Sequence, residues 1–123
     1  MNVKPPPGRE VLVVDDDPAI CETLQELLED EGYRVSTAAN GVEALEYLMV
    51  RRGDPPGLIL LDFMMPVMNG VELLDQIAAD VTLPRVPVVV LSANAGFSKR
   101  AHQRDIVLYL SKPVSVAHLL ETV

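Results

Sequence analysis

The sequence predicts an α/β fold, a doubly wound parallel sheet of five strands accompanied by five helices, and three observations point to it. Residues 11–14, 58–61 and 88–91 are wholly apolar runs, too short for helices, and read as strands buried on both faces. Between them lie stretches with apolar residues at helical spacing, several opened by a capping signature. Strands that alternate with helices in this way are most economically joined as a parallel sheet with helices on both faces.

Size and charge narrow the class. A chain of 123 residues makes one domain and buries roughly two thirds of the surface its unfolded form exposes. Asp and Glu number 18 against 10 Lys and Arg, a formal charge of −8, and such a field repels a phosphate backbone. This argues against direct contact with nucleic acid. A single cysteine, Cys21, cannot form an internal disulfide and fits a reducing compartment, where it reads as a small packing residue. Residues 1–9, with Pro5, Pro6 and Pro7, read as a disordered, extended tail and neither as a signal peptide nor as a membrane segment. The expectation is a cytoplasmic domain over residues 10–123, away from the membrane.

The elements follow in order. The first strand, 11–14, runs into Asp15, Asp16 and Asp17; Pro18 suits the first turn of a helix capped by Asp17. Ile20, Leu24, Leu27 and Leu28 share one face of that helix, acids fill the other, and Gly32 sits where a helix-ending glycine belongs. Residues 33–38 read as an edge strand. Asn40 with Glu43 opens a second helix whose apolar stripe is Val42, Leu45, Leu48 and Met49. The strand at 58–61 ends on Asp62, and Asn69 with Glu72 opens a third helix expected to bury Val71, Leu74, Ile77 and Ala78. A fourth strand ends at Ser92, residues 97–104 make a short polar helix, and a fifth strand at 106–110 leads to Lys112 and a last helix from about Ser115.

Asp15, Asp16, Asp62, Ser92 and Lys112 thus all fall at carboxyl ends of strands, where open α/β sheets place their ligand crevices. Gathered carboxylates repel, and either a proton or a divalent cation relieves them. All-oxygen donors without His or Cys favour a hard ion, Mg2+ before zinc or copper. Lys112 adds a positive charge and Ser92 a hydroxyl, both able to hold phosphoryl oxygens, and an Asp in such a setting can accept a phosphoryl group. Read singly, Asp17 is a helix cap, Ser92 a loop hydroxyl, Lys112 a solvated charge, and His102 and His118 exposed helix residues.

Four stretches, Val13-Val14-Asp15-Asp16-Asp17, Asp62-x-x-Met65-Pro66-x-Met68-x-Gly70, Val90-Leu91-Ser92-Ala93 and Leu110-Ser111-Lys112-Pro113, resemble in order the motifs of the receiver domain of bacterial two-component response regulators. The resemblance implies a flavodoxin-like sheet of order 2-1-3-4-5. It implies Asp62 as phospho-acceptor from a sensor histidine kinase or phosphotransfer protein, with Ser92 and Lys112 holding the phosphoryl oxygens. Metal ligands by the same likeness are Asp16 and Asp62 directly, Asp15 through water, and the main-chain carbonyl of Met64. Ser92 and the aromatic Tyr109 would be the switch, changing a partner-binding face made by the fourth helix, fifth strand and fifth helix. Such a domain is a signalling switch and not an enzyme in the ordinary sense.

Departures from the family pattern are also visible. The small-residue cluster expected before the fifth strand is replaced by Gln103-Arg104-Asp105, and Met64 is apolar where a polar residue would orient attacking water. The apolar fifth strand, at a sheet edge, invites self-association or a docked partner, which makes a homodimer one expectation. The chain ends at Val123, so it either acts by contact alone or is the receiver portion of a longer regulator. A phosphohydrolase would want an acid at position 64, and nucleotide-binding glycine loops are missing from the sequence. The competing interpretation is a pseudo-receiver that binds partners without phosphorylation.

Overall fold

The structure is a computed structural model describing residues 10–62, 65, 67–83, 86–92 and 106–111, with 91, 92 and 106–111 described by backbone alone. Strand β1 spans Glu10–Val14, helix α1 Pro18–Asp30, β2 Arg34–Ala38, α2 Gly41–Val50, β3 Leu58–Asp62, α3 Gly70–Ala79, β4 Val88–Ser92 and β5 Ile106–Ser111. The sheet is parallel, of order β2-β1-β3-β4, and the backbone of β5 pairs beyond β4. Val107 is an extra residue there: Val88 pairs with Ile106 but Val89 with Leu108. The tail, the helices expected at 97–104 and from Ser115, and His102 and His118 lie outside the described residues.

The apolar runs of β1 and β3 divide their side chains between two cores, as strand alternation requires. Val11, Val13, Leu58 and Leu60 face α1 with Cys21, Leu24 and Leu28. Leu12, Val14, Ile59 and Leu61 face α2 and α3, with Ala44, Leu48, Leu73 and Leu74. Both faces being covered, β1 and β3 are buried throughout and apolar but for Glu10 and Asp62 at their ends, and β2 at the edge is mixed.

Helix ends follow their signatures. Asp17 caps α1 by accepting from Ala19 N–H at 2.9 Å. At the other end Gly32 has φ +96°, and Gly32 and Tyr33 donate to the carbonyls of Glu29 and Leu28, a Schellman closure that also packs Tyr33 on Leu28. Asn69 and Glu72 form a reciprocal capping box on α3. On α2 Asn40 accepts from Glu43 N–H, while the Glu43 carboxylate takes the N–H of Ala39, one residue earlier than expected.

Two helix faces differ from expectation. In α2 the buried positions are Gly41, Ala44 and Leu48, spaced by three and four; Met49 lies one step round and is 43% exposed. In α3 Leu73 is buried and Ala78 is exposed, because the inward line runs through Gly70, Leu73, Leu74 and half-buried Ile77. Leu27 of α1 is half-buried. Among the described residues no helix is long and apolar enough to cross a membrane.

Candidate functional site

The site is built where β1 and β3, adjacent in the sheet, reach their carboxyl ends. Asp15 continues the β1 ladder one step past Val14, donating its N–H to the carbonyl of Ala38 at 3.1 Å. Its Oδ1 accepts the N–H of Asp17 at 2.9 Å, and its carbonyl accepts the Cys21 thiol at 3.2 Å. Backbone and side chain of Asp15 are therefore fixed from three directions. The thiol is pushed above its ordinary pKa by burial and then by the negative field of Asp15, so it stays protonated and able to donate. Asp16 follows in the connection to α1 and is exposed.

Asp62 is the last residue of β3 and is 3% exposed; Asp15 is 1% exposed. One carboxylate oxygen from each of Asp15, Asp16 and Asp62 lies within 4.8 Å of the other two. That spread is a little wider than the roughly 3–4 Å between oxygens around an octahedral Mg2+. Two of the three acids are removed from water, which raises the cost of holding like charges together and favours a neutralising cation. The donors are hard oxygens with neither His nor Cys among them, a set suited to Mg2+. Beside Asp15 and Asp16 opens a cleft of about 280 Å³, lined also by Cys21, Glu22, Thr37 and Glu43.

The other expected site residues are located only in part. Asp62 pairs with Leu91 on β4, so the backbone of Ser92 lies one step beyond it on the neighbouring strand. Ser92 in turn pairs with Ser111, the residue before Lys112, and Tyr109 pairs with Val90 within β5. Met64 and Lys112 lie outside the described residues. The Cys21 thiol behind Asp15 was not legible in the sequence, where its signal was a cysteine on the inward face of the first helix turn.

The match to known proteins agrees with this geometry. A family model described as the response regulator receiver domain matches residues 11–123. The chain belongs to that family. Among relatives of this receiver domain, the polar-differentiation response regulator DivK of Brucella anthropi is 32% identical over 117 residues, spanning 94% of this chain and 93% of its own. The phosphorylated cyanobacterial phytochrome response regulator RcpA superposes with a TM-score of 0.73 at 32% identity, over 91% of this chain and 86% of that one. The receiver domain of sensor histidine kinase PA1611 from Pseudomonas aeruginosa has magnesium coordinated in its active-site cleft. It superposes with a TM-score of 0.77 at 31% identity, over 92% of each chain. The receiver domain described here is thus a component of two-component signalling, built on the fold these relatives share.

Proposed function

We propose that Asp62 accepts a phosphoryl group from a phosphohistidine on a sensor histidine kinase or phosphotransfer protein. The observation that carries this reading is the meeting of Asp15, Asp16 and Asp62 within 4.8 Å at the ends of adjacent strands. Asp62 is the acceptor because it ends the strand between the acid pair of β1 and Ser92 of β4. A carboxylate oxygen of Asp62 bonds to phosphorus as the phosphorus–nitrogen bond breaks, and the imidazole leaves with the electron pair. Asp16, Asp62 and the carbonyl of Met64 would hold Mg2+ directly and Asp15 through water, and the ion would supply charge neutralisation for the transferred group. Asp15, fixed by Ala38, Asp17 and Cys21, presents a preorganised oxygen. Ser92 and Lys112 take the phosphoryl oxygens, and Tyr109 follows the Ser92 hydroxyl inward.

On this reading the complete domain is a flavodoxin-like sheet of five strands with five helices, acting in the cytoplasm. Its signal leaves through the fourth helix, β5 and the fifth helix, by self-association or by a docked protein. With an apolar residue, Met64, two positions after the acceptor in sequence, the phosphoryl group is long-lived. Met64→Asn is expected to shorten its lifetime severalfold, and a lifetime left unchanged would contradict that role.

Intact-protein mass spectrometry after incubation with acetyl phosphate and Mg2+ tests the acceptor. The expected result is one added phosphoryl group that is lost in Asp62→Asn and in the presence of a chelator. An adduct that survives Asp62→Asn would move the acceptor elsewhere. A folded protein that takes no phosphoryl group from acetyl phosphate or from a phosphorylated histidine donor would favour the pseudo-receiver.

A further inference from the structure

Met68, six residues after Asp62, is fastened to the start of α2 by a contact that requires glycine. Gly41, the first residue of α2, is buried and donates its N–H to the carbonyl of Met68 at 3.1 Å. A Cβ at this position would lie 2.6 Å from Met68 Cγ and 2.8 Å from its carbonyl oxygen, closer than packed atoms tolerate. Both the main chain and the side chain of Met68 therefore rest on the glycine. Anchors recur at every third residue: Asp62 in the β3 ladder, Met65 in the core, Met68 on Gly41. Immediately after Met68, Asn69 is held by the α3 capping box.

Immediately before Met68 the backbone takes up strain. Val67 has φ +68°, the left-handed region that a β-branched residue rarely adopts, and its side chain is 79% exposed. The exposed side chain of Val67 returns little packing for that conformation, and its neighbour Met68 is the residue held on Gly41. The contact at Gly41 thus anchors Met68 directly beside a residue held in a conformation that its own side chain disfavours.

We infer that Gly41 is a positioning residue for the acid site: through Met68 it fixes the connection leaving Asp62, and with it the geometry offered to the cation. The inference rests on the proposed Mg2+ site and extends it to a residue on a different helix. Metal sites lose affinity when the groups that orient their ligands are disturbed, by about ten- to a hundredfold for direct outer-shell partners. A clamp acting through the main chain belongs at the lower end.

The test is Mg2+ affinity measured by calorimetric titration, with acetyl phosphate labelling followed in parallel. Gly41→Ala is expected to weaken Mg2+ binding by about tenfold. Its labelling rate falls at low Mg2+ and recovers at saturating Mg2+, read at a temperature where circular dichroism shows the Mg2+-free variant fully folded, so that loss of stability does not produce the split. Gly53→Ala, where nothing lies within 4 Å, leaves the affinity unchanged. Adding Val67→Gly to Gly41→Ala restores most of it, because glycine adopts positive φ freely and lets the connection yield. Should Gly41→Ala not fold, Met68→Ala removes the other side of the contact without adding atoms and is expected to weaken binding in the same direction.

Mg2+ affinity within roughly twofold of the wild type in Gly41→Ala, or in Met68→Ala where the first does not fold, would overturn the inference. A wild-type protein that binds Mg2+ yet takes no phosphoryl group would remove the acceptor role of Asp62 and leave the clamp standing. A wild-type protein that binds no Mg2+ would remove both.

Discussion

Strand β1 carries a buried carboxylate near each end, and the chain treats the two in opposite ways. At the amino end Glu10 is 7% exposed and surrounded by its own protein's donors. Ser36 of β2 donates to it at 2.8 Å, the Tyr47 hydroxyl of α2 donates to its other oxygen, and Arg51 lies 3.6 Å away. Arg51 also donates to the Tyr47 hydroxyl at 2.9 Å and sits over its ring. At the carboxyl end, 1% exposed Asp15 is joined by two further acids, Asp16 and Asp62. Evenly distributed stabilisation would place a cation at both ends. The amino end is a finished structural joint, whereas the carboxyl end gathers negative charge, as a site for a hard cation and a phosphoryl group does.

Substitutions at the two ends should therefore move stability in opposite directions. The largest effect is expected from Tyr47→Phe, which takes a donor from a buried carboxylate and lowers unfolding free energy by about 1–3 kcal/mol. Urea denaturation monitored by circular dichroism would read it. At the other end Asp62→Asn, measured with a chelator present, should raise stability by roughly 1–2 kcal/mol, since it removes one of three like charges in a partly buried cluster. A loss of stability in Asp62→Asn would mean that the acids there are held as comfortably as Glu10.

Alkaline pH sharpens the same contrast. Burial, and then the hydrogen bond to Glu10, push the Tyr47 hydroxyl above its ordinary pKa of 10.0. The folded form holds that proton more tightly than the unfolded chain does. The associated stability is thus whole below pH 10.0 and is lost as pH rises above it. Tyr33, raised by burial at the end of α1, adds to the same slope. Tyr47→Phe should flatten the decline of the urea midpoint above pH 10.0, and an unchanged slope would contradict the account.

The smallest effect belongs to a surface pair, exposed Arg52 and half-buried Asp80. Asp80, 3.7 Å from Arg52, is held below its ordinary pKa first by the Thr82 hydroxyl and then by the Thr82 N–H. Its contribution is present above pH 3.8 and is lost as pH falls below it. Thr82→Ala should raise the Asp80 pKa measurably by NMR while barely changing the melting temperature, because exposed interactions are screened by water.

What the sequence made legible follows from the range of the interactions involved. The strands at 58–61 and 11–14 were legible because four apolar residues in a row must be buried on both faces. The caps Asp17, Asn40 and Asn69 depend on residues two or three positions away, and their signatures sit in the sequence itself. The acid cluster was legible because Asp15, Asp16 and Asp62 each end or follow an apolar run. The Glu10 joint was not, since it unites residues 26 and 37 positions apart on three elements. Nor was the Gly41 clamp, where two capping signatures hid the approach of one helix start to the connection before another. Leu73 and Ala78 were exchanged in the expected α3 face because both fit a helical period, and only the packing against β3 and α2 chooses.

The most direct measurement is thermal unfolding with and without saturating Mg2+ for the wild type, Asp62→Asn and Tyr47→Phe. Mg2+ should raise the wild-type midpoint by about 5 °C or more. Tyr47→Phe should start lower and gain the same increment, and Asp62→Asn should start higher and gain almost none. Equal increments in wild type and Asp62→Asn, or none in either, would contradict the claim that the carboxyl end of the sheet is completed by a cation.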